Sequence, residues 1–555
     1  MAVKVLDGEI LSRMFRQGAA ELSRNAQKID ALNVFPVPDG DTGTNMNLTI
    51  TSGVKEMQGK ESGHAGTTAS AFAKGLLMGA RGNSGVILSQ LFRGFSKEVE
   101  KQKELEAPAF AAALQNGVDT AYRAVMKPVE GTILTVAKDA ASAAVEAAEK
   151  EDDIVRLMEI VQEEAAASLE RTPELLPVLK EVGVVDSGGQ GLLSIYDGFL
   201  SILNGKPVAE EDEIPSMDEL VKLEHHQSAQ GHMATEDIEF GYCTEVMVQF
   251  DNQKLEEHPY DEQAFREELS EHGDSLLVVS DEDLLKIHIH VEYPGKVIDE
   301  AQRFGSLVNV KVENMREQHS NIVQEDRGGA PAAAAPQTGT AVITVGMGAG
   351  IRRLFEGLGV RKVIEGGQTM NPSTEDFIKA IEEVNASRVI LLPNNSNIVM
   401  AAEQAADVTD VEAEVVPTKT VPEGLAAMLA FDPEAPIAET AEAMGSAVHE
   451  IQTGEVTYAV RDTSLDGVEI SEGDYMGIKG KKIVSCGSSV QDVAKELIHE
   501  LKTADTEIIT IIYGEDRTQE EAETLASWAE EQDEEIEVEV HSGEQPLYSY
   551  IISAE

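Results

Sequence analysis

Residues 33–48 read NVFPVPDGDTGTNMNL, with two aspartates, Asp39 and Asp41, on either side of Gly40. Pro36 and Pro38 hold the approach extended. The flanking glycines let the chain turn tightly. Paired carboxylates on such a turn suit a hard cation such as Mg2+, which keeps several waters and accepts one or two carboxylates plus phosphate oxygens. Thr42 or Thr44 is placed to cap a helix beginning near Asn45, and a helix N-terminus favours an anionic phosphate. Taken alone, Pro-Asp-Gly is also an ordinary turn signal.

Three further breaks carry polar residues that could serve the same site. Residues 78–90, MGARGNSGVILSQ, offer Gly82, Asn83 and Ser84 at a helix start, with backbone N–H groups suited to cradling phosphate and Arg81 as a charge partner. Residues 127–140 contain Gly131 and Thr132, which end one helix and cap another. Residues 182–198 contain Asp186, Ser187 and Gly188 ahead of an apolar helix. Each also reads as a plain helix cap. Farther on, His288 and His290 lie two apart on an expected strand and so share one face. If the strand of Cys243 is adjacent, the three form a set suited to Zn2+. The alternative is a polar sheet face beside a small core cysteine.

The stretch NVFPVPDGDTGTNM resembles the metal–nucleotide loop of the dihydroxyacetone-kinase L-subunit (DhaL) family, in the variant found in ATP-binding subunits of bacterial fatty acid kinases. The resemblance implies that Asp39 and Asp41 hold Mg2+ and act catalytically together with Arg81. It implies that Thr42, Thr44, Asn45, Gly82, Asn83, Ser84, Thr132, Asp186, Ser187 and Gly188 bind ATP. The DhaL pattern carries a third aspartate ahead of the pair. Here its nearest match is Asn33, one residue out of step, which offers a neutral oxygen. One or two Mg2+ ions are therefore both open.

These loops need a scaffold, and the chain supplies several. Its 555 residues suggest three or four domains. Residues 1–205 show apolar positions at helical spacing and Ala-rich runs, the pattern of an all-α domain. The resemblance makes it a DhaL-type barrel of helices with the nucleotide at one mouth. Residues 206–326 begin with an acidic link and continue as a small α+β middle domain. Residues 327–339, RGGAPAAAAPQTG, read as a flexible linker. Residues 340–555 alternate strands and helices, which predicts an α/β domain with a parallel sheet. This domain resembles the DegV-like lipid-binding fold. The turn GMGAGI at 346–351 lacks the third glycine of a dinucleotide fingerprint and reads as a helix-opening turn. Two polar loops, 366–374 and 391–397, follow strands and suggest docking of a partner more than chemistry.

Composition excludes some roles. The formal net charge of −56 repels nucleic acid and anionic lipid. No apolar run reaches the length of a membrane span. Two distant cysteines, Cys243 and Cys486, imply no disulfide framework, and the N-terminus lacks a leader pattern. A cytoplasmic protein is the expectation.

The resemblance implies transfer of the ATP γ-phosphoryl group to the carboxylate of a fatty acid, presented by a separate DegV-type fatty-acid-binding protein, and a homodimer. Two rivals stand beside it: the kinase component of a dihydroxyacetone-type system, and a nucleotide-sensing regulator without turnover.

Overall fold

The computed structural model describes residues 2–33, 41–60, 62–125, 127–206, 242–250, 272–280, 284–314, 337–367, 370–449, 451–465, 468–504, 506–533 and 536–555, with short pieces between 254 and 269. Asp39, the acidic link after 206 and the linker up to 336 lie outside the described residues, as do the side chains of Cys243, His288 and His290. The chain divides into two compact units: Met1–Val221 together with Ala335–Glu555, and Lys222–Ala334.

The first segment is helical, as its spacing predicts. Its helices are α1 (Gly8–Asp30), α2 (Thr42–Met57), α3 (Ala65–Met78), α4 (Gly82–Val99), α5 (Ala107–Ala124), α6 (Ile133–Ala148), α7 (Ile154–Leu175), α8 (Pro177–Val182) and α9 (Ser187–Leu203). Side-chain oxygens start several of them: Asp7 accepts from Ile10 N at 2.9 Å before α1, and Asp153 from Val155 N at 3.1 Å before α7. From α1 to α7 each helix packs on the next, and α9 packs on α7 and back onto α1, so the bundle closes. Its centre is aromatic. Phe15 stacks on Phe72 at 4.1 Å between centroids, and Phe92 meets Phe72 edge-on at 5.1 Å. Burying each such ring is worth roughly 1.5–3 kcal/mol, which fixes the positions of the helix ends carrying the polar loops.

The C-terminal segment holds two sheets. Strands β7 (Gln337–Gly346), β8 (Lys362–Glu365), β9 (Ala386–Leu392) and β10 (Glu412–Val415) form a parallel sheet in the order β10-β9-β7-β8. Strand β7 starts at Gln337, inside the stretch expected to be linker. The sheet of β7 to β10 is the expected parallel one, and six further strands make mostly antiparallel pairs. Strands β11 (Gln452–Tyr458), β14 (Tyr475–Lys479), β15 (Lys482–Gly487), β16 (Ile508–Tyr513), β17 (Glu537–Ser542) and β18 (Tyr550–Ala554) form a second sheet, ordered β15-β14-β11-β18-β16-β17. Only the β16–β17 pair in it is parallel. The connection from Lys479 to Lys482 is too short for a crossover and forces an antiparallel pair. Strand β18 then inserts antiparallel to both β11 and β16. A small hairpin, β12 (Thr463–Leu465) with β13 (Val468–Ile470), buries Leu465 and Ile470 against Met476, Ile478 and Ile483. The GMGAGI turn opens helix α11 (Ala349–Gly357), as expected.

The second unit contains an antiparallel sheet of β3 (Tyr242–Phe250), β4 (Gly273–Ser280), β5 (Leu284–Val291) and β6 (Gly305–Asn314), ordered β4-β5-β3-β6, with helix α10 (Pro294–Gln302) packed on β3 and β6. Val246, Val248, Ile287, Ile289 and Val291 join Phe265 and Phe304 in its core. Strands β3 and β5 are adjacent, with Cys243 opposite His290 and Glu245 opposite His288. That is the strand pairing the metal reading of Cys243, His288 and His290 requires.

Candidate functional site

Helix α2 starts at Thr42, three residues before the expected start at Asn45, and neither Thr42 nor Thr44 caps it. Asp41 takes the N-cap position, yet its carboxylate makes no capping bond. The first turn is held instead from another helix. Asp30, the last residue of α1, accepts from Gly43 N at 2.6 Å and Thr44 N at 3.2 Å through Oδ1, and from the Thr44 hydroxyl at 2.9 Å through Oδ2. Burial raises the Asp30 pKa above its ordinary value, outweighing the opposing effect of these bonds. A Cβ on Gly43 would sit 2.1 Å from the Ala26 carbonyl oxygen, so only glycine lets α2 start this close to α1. Asp30 was not among the residues the sequence singled out. Its signal was an acidic side chain at a helix C-terminus, where the helix dipole disfavours it unless a second helix N-terminus faces it.

Asn33 sits beside this start. Its Oδ1 accepts from the Thr42 hydroxyl at 2.9 Å and from the Ser187 hydroxyl at 3.3 Å. It thereby ties the loop before α2 to the start of α9. Asp186 caps α9, accepting from Gly189 N at 2.7 Å. Burial lifts its carboxyl to about 6, against the lowering effect of bonds from Gly189 and Ile133 N–H groups. The bond from Ile133 brings the start of α6 next to that of α9. Gly188 is buried there against Ile133. Thr132 caps α6, accepting from Leu134 N at 3.4 Å while its hydroxyl donates to Val129 O at 2.8 Å.

The fourth start belongs to α4. Gly82 adopts φ +56°, and a Cβ there would meet the Asn45 amide at 2.5 Å. Thr49 of α2 accepts from Arg81 N at 3.2 Å, fixing the two helices together. Ser84 lies in the first turn of α4. The N-termini of α2, α4, α6 and α9 are thus linked through Asn45, Asn33 and Asp186 into one cluster. Each adds partial positive charge, and the same cluster carries the Asp30, Asp41 and Asp186 carboxylates.

Two of the expected residues point elsewhere. The Arg81 guanidinium is buried and turns to the C-terminal segment: Nη1 donates to Asn371 O at 2.8 Å, and Nη2 lies 3.6 Å from Asp376 Oδ2. Asn83 Nδ2 reaches Ser396 O and Asn397 Oδ1, both at 3.4 Å. The loops 366–374 and 391–397, read from sequence as a docking surface for a partner, therefore rest on the helical segment of the same chain. Gln404 extends this seam, donating to Leu77 O at 2.8 Å.

Comparison with known proteins finds three family matches in succession. Residues 36–201 match the DAK2 domain, residues 239–322 the FakA-like middle domain of fatty acid kinases, and residues 341–555 the FakA-like C-terminal domain of the same kinases. Protein YloV of Bacillus subtilis is 57% identical over 559 residues, and an uncharacterized protein of Staphylococcus aureus is 50% identical over 556 residues; both alignments cover 100% of each chain. Among solved structures, a fatty-acid-binding DegV family protein from Thermus thermophilus matches with TM-score 0.30 and 13% identity, covering 39% of this chain and 99% of that one. The dihydroxyacetone kinase of C. freundii in complex with AMP-PNP and Mg2+ matches with TM-score 0.28 and 20% identity, covering 34% and 33%. On the full-length identity to its relatives and the three consecutive domain matches, the chain belongs to the FakA-like family of fatty acid kinase proteins.

Proposed function

We propose that this chain is the nucleotide-binding subunit of a fatty acid kinase, transferring the γ-phosphoryl group of ATP to a fatty acid carboxylate held by a separate DegV-type binding protein. The observation that carries this reading is the cluster of four helix N-termini around Asn33, Asp41 and Asp186. The dipoles of four neighbouring helix starts are suited to a polyphosphate.

The residues present fit Mg2+. Asp41 carries its carboxylate at the head of α2 without using it as a cap, and Asn33, whose Oδ1 accepts from the Thr42 and Ser187 hydroxyls, orders the residues beside it. Asp39 and Asp41 would hold the ion, with Asn33 beside them. When bound, the ion would neutralise phosphate charge. Gly82 and Ser84 would face phosphate oxygens, while the Asn83 side chain is turned to Ser396 and Asn397. Thr42, Thr44, Asn45, Thr132, Asp186, Ser187 and Gly188 would line the nucleotide.

The acceptor chemistry is simple. A fatty carboxylate, with a pKa of about 4–5, is already ionised at neutral pH. One of its oxygens bonds to the γ-phosphorus while the bond from phosphorus to the β–γ bridging oxygen breaks. ADP leaves with that electron pair, an acyl phosphate forms, and no proton moves. Positioning and charge neutralisation suffice.

The test is label transfer from ATP to oleate, with and without a DegV-type carrier, for wild type and Asp41→Ala. Label in the lipid only with carrier and wild type is the expected result. Nucleotide binding with no transfer to any carrier-bound lipid would overturn it in favour of a nucleotide-sensing regulator. The Cys243/His288/His290 set is proposed as a Zn2+ site of the middle domain, to be checked by metal analysis of wild type and His290→Ala.

A further inference from the structure

The loop that carries the proposed metal ligands is gripped at both described ends by the C-terminal segment. At its exit, the Asn371 side-chain amide donates to Asp41 Oδ2. The backbone carbonyl of the same residue accepts from Arg81 Nη1 at 2.8 Å. At its entry, the Arg461 guanidinium donates to Ala31 O at 2.6 Å and to Asn33 O. Asn371 is 330 residues from Asp41 and only 1% exposed. Two polar atoms of this contact, Asn371 Oδ1 and Arg81 Nε, are buried with no hydrogen-bond partner among the described residues. A buried polar group left unpaired costs roughly 1–3 kcal/mol, so this seam gives up stability to place these side chains here.

We propose that Asn371 is a positioning residue for the Asp41 carboxylate, so that the C-terminal segment completes the phosphoryl-transfer site of the helical segment. The proposal rests on the reading of Asp41 as a metal ligand. The charge arrangement favours it. The Arg81 guanidinium, at the start of α4, is turned to Asn371 O and Asp376. Asp41 Oδ2 is held by a neutral amide, which restrains its rotamer without neutralising its charge. Hydrogen-bond partners of metal-binding carboxylates typically govern metal affinity by 10–100-fold.

The experiment is calorimetric titration of Mg2+ into the full chain at saturating AMP-PNP, with wild type, Asn371→Ala and Gln404→Ala. Gln404 lies on the same seam and bonds Leu77 and Gln90 without touching the loop. The expected result is a 10–100-fold weaker Mg2+ affinity for Asn371→Ala and an unchanged affinity for Gln404→Ala. Hydrogen exchange should speed up at the first-turn amides of α2 in Asn371→Ala alone. Wild-type affinity in Asn371→Ala overturns the proposal. So does an equal loss in Gln404→Ala, which would make the effect one of seam packing. If wild type binds AMP-PNP with no dependence on Mg2+, the metal reading of Asp41 fails first and takes the proposal with it. Should Asn371→Ala not fold, Arg461→Ala releases the other end of the loop and carries the same expectation.

Discussion

Replacing Asp30 with alanine removes the side chain that caps helix α2. Gly43 N, Thr44 N and the Thr44 hydroxyl all donate to its carboxylate, at 2.6, 3.2 and 2.9 Å. Asp41, at the cap position itself, offers no replacement. Hydrogen bonds to a charged acceptor are each worth about 1.5–3 kcal/mol. Three bonds to one half-buried carboxylate share its charge and do not add fully, and the burial that raises the Asp30 pKa works against them. A net loss of about 3 kcal/mol follows, above the ~1 kcal/mol of an ordinary cap. For a domain of this size that lowers Tm by about 6–12 °C. Thermal unfolding of Asp30→Ala, with Asp119→Ala on the exposed face of α5 as control, measures it. Amide exchange at Gly43 and Thr44 gives the local readout. Two results would refute the reasoning: a Tm shift no larger than that of Asp119→Ala, or unchanged exchange at those two amides.

Other expectations follow from the same geometry. Gly82→Ala forces an alanine to φ +56° with its Cβ 2.5 Å from the Asn45 amide. The left-handed backbone alone costs about 1–2 kcal/mol, and nucleotide affinity should fall along with Tm. The Asp186 carboxyl is lifted to about 6 in the fold, above its unfolded value near ~3.9. The fold therefore favours its protonated form, and stability from this group is present below the unfolded value and lost as pH rises through 6. Asp186→Asn should gain on wild type across that window by at most about 3 kcal/mol; parallel pH–stability curves for the two proteins would count against this. Phe15→Ala empties the centre of the stacked cluster with Phe72 and should cost about 3–5 kcal/mol in denaturant unfolding, with Phe15→Leu retaining most of the stability.

Local chemistry wrote much of this protein into its sequence. The helices of the first segment follow from apolar spacing and from caps such as Asp7, Thr132, Asp153 and Asp186, each acting within three residues of itself. The polar loops that gather at the helix starts were legible for the same reason, because glycines, caps and turn residues act on their neighbours. What the sequence could not reveal lies in pairings between distant residues. Asp30 looks like a misplaced acid at a helix end until α2 is brought against it. Beside the parallel sheet expected for residues 340–555 stands a second sheet, joined by β18, the last strand, which inserts between β11 and β16. Arg81 looks like a phosphate ligand until Asn371 and Asp376, nearly 300 residues away, claim its guanidinium. No period or motif encodes such contacts. They are selected by which surfaces meet once the cores have closed, and here that meeting sets the side chains around Asp41.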